Sequence, residues 1–251
     1  MHLRQLTIHP ERFPVRDKYP FNLEVISRTD CIEFTSPVTC FAGENGTGKS
    51  TLLEAVTRRC EIHIWGETDR TRYDKNPWET LLYRAVDIEW EDGPVPGSFF
   101  ASQRFRSFTR MLDEWASADP EMLGYYGGRS LVSQSHGQSL MAYFRNRYRI
   151  RGIYFLDEPE TALSPRTQVE LLSIVREMSD KGHAQFVIAT HSPILLACPG
   201  ADIVSFDTVP ASRVQYEDTD HYRIYRDFLA DREGFFKSAG LLIETGTGTH
   251  C

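Results

Sequence analysis

Short apolar stretches, separated by polar turns, recur along the chain and predict β-strands. A strand is indicated by alternation of apolar and polar residues, or by a short run of β-branched and aromatic residues. Six stretches meet one of these descriptions: LRQLTI (3–8), NLEVIS (22–27), PVTCFAG (37–43), SFFAS (98–102), GIYFL (152–156) and AQFVIAT (184–190). Three of them, PVTCFAG, GIYFL and AQFVIAT, are almost wholly apolar and predict buried strands.

Helices are predicted between these strands. The pattern indicates four of them: KSTLLEAVTRR (49–59), RFRSFTRMLDEWA (104–116), a segment from near Ser135 to about Tyr148, and PRTQVELLSIVREM (165–178). The last helix has apolar residues at helical spacing: Val169, Leu172, Val175 and Met178. Strands that alternate with helices predict a mostly parallel sheet in an α/β domain. Residues 65–97 are polar and rich in turn signals, so they predict little structure.

Length and charge limit the class of protein. We predict a single domain over residues 1–251, with a helical lobe over about 104–150. The 28 Lys and Arg residues against 35 Asp and Glu residues give a net charge of −7, which argues against wrapping of nucleic acid over the whole surface. One basic cluster contains Arg145, Arg147, Arg149 and Arg151. Two interpretations of it stay open: cations that favour the carboxyl end of a helix, or a contact with nucleic acid.

The cysteines and the amino-terminal residues bear on the compartment. The five cysteines, at positions 31, 40, 60, 198 and 251, form no CxxC pair, so neither a disulfide framework nor a zinc ribbon is indicated. The first residues lack the apolar core of a signal sequence, and no apolar run reaches the roughly 18 residues that span a bilayer. We therefore expect a cytoplasmic protein without a transmembrane segment.

The segment GENGTGKS, residues 43–50, has the spacing of a phosphate-binding loop and lies between a predicted strand and a predicted helix. Its glycines allow backbone N–H groups to turn toward a phosphate, and the helix amino terminus favours the anion. Lys49 can reach the β- and γ-phosphates, and the Ser50 hydroxyl can bind Mg²⁺. The predicted nucleotide-binding residues are Gly43, Glu44, Asn45, Gly46, Thr47, Gly48, Lys49, Ser50 and Thr51.

Two carboxylates, Asp157 and Glu158, end the strand GIYFL, at the edge where open α/β sheets bind ligands. Beside a phosphate loop, we expect Asp157 to share Mg²⁺ with Ser50, and Glu158 to orient and deprotonate an attacking water. His191 ends the next buried strand, where it would reach a γ-phosphate. These residues predict Mg²⁺-dependent hydrolysis of ATP, with Lys49, Glu158 and His191 as the catalytic residues.

The order of five motifs, GENGTGKS, SHGQS, YFLDEPE, TALSP and ATHSP, resembles the ATP-binding-cassette (ABC) ATPase superfamily over roughly residues 3–210. The resemblance implies a P-loop fold with a mostly parallel central sheet, antiparallel N-terminal strands and a small helical lobe. It implies that SHGQS is the family signature, with His136 in place of the first glycine. In that family the signature of one protomer caps the γ-phosphate held by the other, which implies an ATP-dependent homodimer. The residues implied for the partner's ATP are Ser135, His136, Gly137 and Gln138.

The resemblance implies further roles. Residues 161–165, TALSP, match the loop that passes signals across the dimer, and Gln103 is the candidate for a glutamine that binds Mg²⁺. An aromatic residue is expected to stack on adenine, and the choice among Phe13, Tyr19 and Phe21 stays open.

Three functional classes are weighed. The sequences of the motifs resemble those of small ATPases related to the SMC and RecF type. This resemblance implies a soluble switch that acts on an effector protein, with roles in DNA or RNA transactions or phage defence. The alternative is the nucleotide-binding subunit of an ABC membrane transporter. A third class, a binding module without turnover, is disfavoured because Lys49, Asp157, Glu158 and His191 are all present.

Overall fold

The computed structural model describes residues 1–65, 76–118, 124 and 136–240. The strands are β1 (Leu3–Ile8), β2 (Cys31–Glu33), β3 (Val38–Ala42), β4 (Val86–Trp90), β5 (Gly97–Ala101), β6 (Gly152–Asp157), β7 (Ala184–Ala189), β8 (Asp202–Ser205) and β9 (Ser212–Val214). The helices are α1 (Glu24–Arg28), α2 (Lys49–Arg59), α3 (Ser102–Ala118), α4 (His136–Arg147), α5 (Pro165–Asp180), α6 (Pro193–Leu196), α7 (Asp220–Ala230) and α8 (Arg232–Ser238).

A six-stranded sheet forms the centre of the fold, in the order β5-β6-β7-β3-β8-β9. Its neighbouring strands are parallel, except that β9 runs antiparallel to β8. Every residue of β3 and β7 is buried, because other layers cover both faces of the sheet. The predicted mostly parallel sheet is thus confirmed, and its carboxyl edge brings the ends of β3, β6 and β7 together.

A separate antiparallel sheet has the order β2-β1-β4. Gln185, a buried residue of β7, connects it to the central sheet. Its Oε1 accepts from His2 N at 2.8 Å and from Leu3 N at 2.7 Å, and its Nε2 donates to Leu3 O at 2.9 Å. These three hydrogen bonds satisfy backbone groups at the start of β1 that the sheet contact would otherwise bury.

The predicted strand over residues 22–27 is wrong, because the chain forms the short helix α1 there. Val25 and Ile26 are adjacent in sequence and both buried, which a half-exposed strand does not allow but a helix does. Their side chains and that of Leu23 lie against Gly48 of the phosphate loop. The antiparallel sheet instead consists of β1, β2 and β4. Strand β4 lies within residues 65–97, for which the sequence predicts little structure.

The apolar core has two parts, one on each face of the central sheet. Alternate residues of β6 supply both: Ile153 and Phe155 pack with α2 and the antiparallel sheet, whereas Tyr154 and Leu156 pack with α3, α4 and α5. The second part is rich in aromatic rings that contact one another, such as Phe100 with Phe144 at a centroid distance of 4.9 Å. These contacts hold α3 and α4, the described helices of the expected lobe, on the sheet.

Two helices that the sequence analysis does not predict, α7 and α8, follow the sheet. The hydroxyl of Tyr216 donates to Pro193 O at 3.0 Å, and this contact fixes the start of α7 close to α6. Across the ranges that the structure describes, no helix is both long and apolar enough to cross a bilayer.

Candidate functional site

The phosphate loop, residues 43–50, connects the carboxyl end of β3 to α2. Gly48, the residue before α2, has φ +104°, a conformation that side chains other than glycine rarely adopt. A Cβ at this position would also lie 3.2 Å from Leu23 Cδ1. The loop therefore requires glycine here for two reasons, backbone conformation and contact with α1.

Lys49 is buried, with 4% of its surface exposed, at the first position of α2. Its Nζ donates to Gly43 O at 2.6 Å and to Glu44 O at 2.8 Å, so the ammonium group lies within the loop. Burial lowers the pKa of Lys49, while the charges of Asp207 and Glu158 oppose that shift. The geometry places a cation where the loop's backbone would hold a phosphate.

Ser50 and Asp157 meet at the end of β6. The Ser50 hydroxyl donates to Asp157 Oδ1 at 2.6 Å. Burial is the main cause that raises the pKa of Asp157 to about 6; the Ser50 hydrogen bond opposes it and the neighbouring Glu158 adds to it. In the described part of the chain, no group of three or more His, Cys, Asp and Glu residues could hold a metal alone. A hydroxyl beside one carboxylate fits Mg²⁺, which typically takes only one or two carboxylates and completes its shell with phosphate oxygens and water.

Glu158 follows β6 and has a left-handed backbone, with φ 44° and ψ 53°. Such a conformation costs about 1–3 kcal/mol for a residue other than glycine. Two hydrogen bonds hold it there: Glu158 N donates to Ala189 O at 2.9 Å, and Ser102 Oγ donates to Glu158 O at 2.7 Å. The turn directs the Glu158 side chain toward the end of β7.

His191 lies just beyond β7, and its Nε2 is 3.7 Å from Glu158 Oε1. Its backbone N donates to Glu160 Oε1 at 2.6 Å, and its Nδ1 is 3.2 Å from His221 Nε2. Burial lowers the pKa of His191, and the charge of Lys49 adds to this effect. The structure therefore brings together the carboxylate and the imidazole that the sequence singled out.

Comparisons with known proteins agree with this geometry. A family model described as "AAA domain, putative AbiEii toxin, Type IV TA system" matches residues 133–197, and another described as "AAA domain" matches residues 22–87. The first range includes Asp157, Glu158 and His191, and the second includes the phosphate loop.

Curated relatives extend over most of the chain. The thiamine import ATP-binding protein ThiQ of Ruegeria sp. (strain TM1040) is 25% identical over 191 residues, which is 68% of this chain and 80% of that protein. The phosphate import ATP-binding protein PstB of Idiomarina loihiensis is 27% identical over 204 residues, with 73% and 74% covered.

Solved structures decide the fold. CbiO1 of Clostridium perfringens, part of an ABC transporter complex, has a TM-score of 0.50 at 16% identity, covering 93% of this chain and 98% of that one. An SMC head bound to the C-winged helix domain of ScpA has a TM-score of 0.51 at 10% identity, covering 86% and 99%. The chain has the fold of the ABC and SMC P-loop ATPases.

The predicted signature, SHGQS, lies only partly within the described residues. Ser135 lies outside them, while α4 begins at His136, close to the predicted start. Gly137 is half-buried and Gln138 is exposed in the first turn of α4. Their role toward a partner's nucleotide stays a prediction.

Gln103 is exposed in the first turn of α3, directly after β5. Ala101, at the end of β5, pairs with Asp157 of β6, so Gln103 follows the strand that adjoins Asp157. The position is compatible with a third contact to Mg²⁺, which stays a prediction.

Solvent exposure distinguishes the aromatic residues that could stack on adenine. Phe21 is 1% exposed and packs against Phe13 with ring centroids 4.9 Å apart, so it offers no free ring face. Tyr19 is 41% exposed, and its hydroxyl lies 2.8 Å from Thr51 Oγ1. Tyr19 also borders a polar cavity of about 380 Å³ beside α2, with Ser50 and Thr51 in its lining. It is the better-placed candidate.

Two of the four arginines of the basic cluster, both in the last turn of α4, make contacts within the chain. Arg147 donates to Gly97 O at 2.9 Å, and Arg145 pairs with Glu170 at 3.3 Å. Tyr148 is fully buried and cannot stack on a base. These contacts favour the structural interpretation of the cluster over the nucleic-acid one.

Two acidic residues and a histidine at the site were not found from the sequence. Asp207 Oδ1 accepts from Glu44 N at 2.7 Å, and it follows β8, so the rule that identified Asp157 could have found it. Glu160 lies within the YFLDEPE motif, and its hydrogen bond to His191 N joins residues 31 apart in sequence. His221 comes from α7, and nothing local in the sequence distinguishes it.

Proposed function

We propose that the chain binds Mg²⁺ and ATP and hydrolyses the γ-phosphate bond. The observation that carries this is the convergence of Lys49, the Ser50–Asp157 pair and the Glu158–His191 pair at one edge of the parallel sheet. A cation, a metal-binding pair and a carboxylate that can accept a proton are the parts that phosphoryl transfer to water requires.

Each residue has a step in this mechanism. Lys49 Nζ, which now donates to loop carbonyls, would donate to phosphate oxygens, and the loop N–H groups would hold the β-phosphate. Glu158 would accept the proton of the attacking water, and His191 Nε2 would donate to the γ-phosphate. Ser50 and Asp157 would hold Mg²⁺, with Gln103 as a further ligand, and the metal would offset the charge that develops on the phosphate oxygens.

We further infer that two chains form an ATP-dependent homodimer with two composite sites. In this arrangement Ser135, together with His136, Gly137 and Gln138 of the first turn of α4, would contact the γ-phosphate bound to the partner chain. The exposure of Gln138 supports this role. Hydrolysis would remove the shared phosphate and release the dimer, which couples chemistry to motion.

The resulting cycle suits a cytoplasmic switch that acts on an effector protein. The match to the model described as a putative AbiEii toxin of a Type IV TA system supports a toxin–antitoxin role for the chain, and it accords with a role in phage defence. The contacts of Arg145 and Arg147 within the chain weigh against direct contact of these two residues with nucleic acid. The relatives named as import ATP-binding proteins favour a second candidate, the ATP-binding subunit of a membrane transporter. ATP-dependent co-purification with a membrane protein would select the second.

Substitution at Glu158 tests the hydrolysis. Glu158→Gln keeps the shape but cannot accept a proton, so we expect turnover to fall about 10²- to 10⁴-fold with ATP binding retained. Lys49→Ala should lose ATP binding in calorimetry. Glu177→Gln, an exposed change on α5, serves as the control and should leave both unchanged. Normal turnover in Glu158→Gln would remove Glu158 as the base.

Analytical ultracentrifugation tests the dimer. Glu158→Gln protein should sediment as a monomer alone and as a dimer with Mg-ATP, and a second change, Ser135→Arg, should prevent dimerisation while ATP still binds. A mixture of Ser135→Arg and Lys49→Ala chains should recover one composite site. If Glu158→Gln stays monomeric at saturating Mg-ATP, a different chain must supply the second half of the site.

A further inference from the structure

A histidine pair links α7 to the catalytic edge of the sheet. His221, the second residue of α7, places its Nε2 3.2 Å from Nδ1 of His191, with ring centroids 5.4 Å apart. The start of α7 is fixed independently of this contact. Thr219 Oγ1 accepts from Tyr222 N at 3.3 Å and donates to Tyr216 O at 2.7 Å, and Tyr216 in turn donates to Pro193 O.

The protons of the two rings follow from their surroundings. A neutral imidazole has one N–H donor and one acceptor nitrogen, so one ring must donate across the 3.2 Å contact and the other must accept. His191 Nε2 is 3.7 Å from Glu158 Oε1. A bare lone pair facing a carboxylate would be repelled, whereas an N–H is attracted, so the proton of His191 belongs on Nε2. Nδ1 is then the acceptor.

The assignment is consistent at His221. If His191 Nδ1 accepts, His221 must carry its proton on Nε2 and leave Nδ1 without one. His221 Nδ1 is buried and has no hydrogen-bond partner among the described residues. The opposite assignment would put a proton on that nitrogen, whereas this one puts a proton on His191 Nε2, which is likewise buried without a hydrogen-bond partner among the described residues. Each assignment leaves one unpaired N–H, so the Glu158 carboxylate, 3.7 Å from His191 Nε2, decides in favour of donation from His221 to His191.

We propose that His221 is a positioning residue that holds His191 in the Nε2–H tautomer, with that N–H free to donate to the γ-phosphate. The hydrogen bond that one ring nitrogen makes determines which nitrogen carries the proton. The 3.7 Å distance to Glu158 is too long for a hydrogen bond, so the donor stays available to another acceptor. This inference rests on the proposed function, and it adds a residue from α7 to the site.

Enzyme kinetics test whether loss of the His221 donor slows hydrolysis. His221→Phe keeps a ring but removes the donor, and we expect kcat to fall about 3- to 10-fold while KM for ATP stays within about twofold. His221→Gln can place an amide N–H near the position of Nε2 and should restore most of the rate. His9→Gln, a change in a histidine that contacts Glu11 and Asp87 instead, is the matched control and should have no effect. Equal losses in His221→Phe and His221→Gln, or a change confined to KM, would overturn the positioning role.

Nitrogen NMR of ¹⁵N-histidine protein tests the tautomer directly. The wild-type spectrum should show His191 with its proton on Nε2, assigned by the signal lost in His191→Gln. His221→Phe should convert it to a mixture of tautomers, and His221→Gln should not. A proton on Nδ1 of His191 in the wild type would overturn the inference. Because this spectrum needs no turnover, an absence of hydrolysis would refute the proposed function and leave the tautomer test standing.

Discussion

Gln185→Leu should destabilise the protein strongly, because one buried side chain satisfies three backbone groups. Gln185 is 0% exposed in β7, and it pairs with His2 N, Leu3 N and Leu3 O at 2.7–2.9 Å. Leucine has a similar volume and no polar atom. The change therefore leaves the packing nearly intact and removes the hydrogen bonds.

The magnitude follows from the groups left unpaired. A buried donor or acceptor without a partner costs about 1–3 kcal/mol, and three of them give roughly 3–9 kcal/mol. Met1 is 39% exposed, so water can reach this end of β1 and relieve part of the cost. We expect a loss of about 4 kcal/mol in the free energy of unfolding, against a total of about 5–15 kcal/mol for a typical domain. For a chain of this size, that lowers Tm by roughly 8–16 °C.

Urea denaturation followed by circular dichroism measures the loss, and a thermal scan gives Tm. Gln215→Leu, at an exposed glutamine, is the matched control and should change stability by less than about 0.5 kcal/mol. A loss below about 1 kcal/mol in Gln185→Leu would show that the two sheets are joined by apolar packing and not through these hydrogen bonds.

Two further predictions concern the loop and the thiols. Gly48→Ala should weaken ATP binding about 10-fold in calorimetry, since the energetic cost of left-handed backbone strain and of contact with α1 is together about 1–2 kcal/mol. Gly93→Ala is the control. Gly93 also has a positive φ, but no atom lies within 4 Å of the new Cβ, so ATP affinity should be unchanged. Of the four described cysteines, only Cys31 should react with a maleimide at pH 7 in the folded protein, and rapid labelling of any other would contradict this. The other three are buried, and burial raises the pKa of Cys60 to about 12 and of Cys198 to about 11, so mass spectrometry should find Cys40, Cys60 and Cys198 labelled only in denaturant.

The sequence predicted the elements whose signal is local and strong. β3, β6 and β7 are apolar runs that need burial on both faces, and α5 has both an apolar period and a capping serine, Ser164, before Pro165. The helix α1 was mistaken for a strand because five residues are too few to show a helical period. β4 was missed because its residues VDIEW alternate only partly and stand among turn signals.

The site divides in the same way. Lys49 and Ser50 follow from the spacing of the glycine loop, whereas Asp157, Glu158 and His191 follow from their places beside strand ends that the sequence marks. The contact of His221 with His191 joins residues 30 apart, and that of Asp207 with Glu44 joins residues 163 apart. Neither contact is signalled by a periodic pattern in the sequence, because each depends on how separate elements pack.

We expect the contact between α1 and Gly48 to couple the phosphate loop to the antiparallel sheet. Leu23, Val25 and Ile26 rest on the loop, and α1 leads directly into β2. A ligand at 100 times its Kd stabilises the folded state by about 2.7 kcal/mol, and that stabilisation would extend through α1 to amides that never touch the ligand. Hydrogen exchange in β1 and β2 would therefore slow when the loop is occupied. By reciprocity, a substitution that selectively loosens this sheet would weaken the binding of the nucleotide by the same coupling free energy.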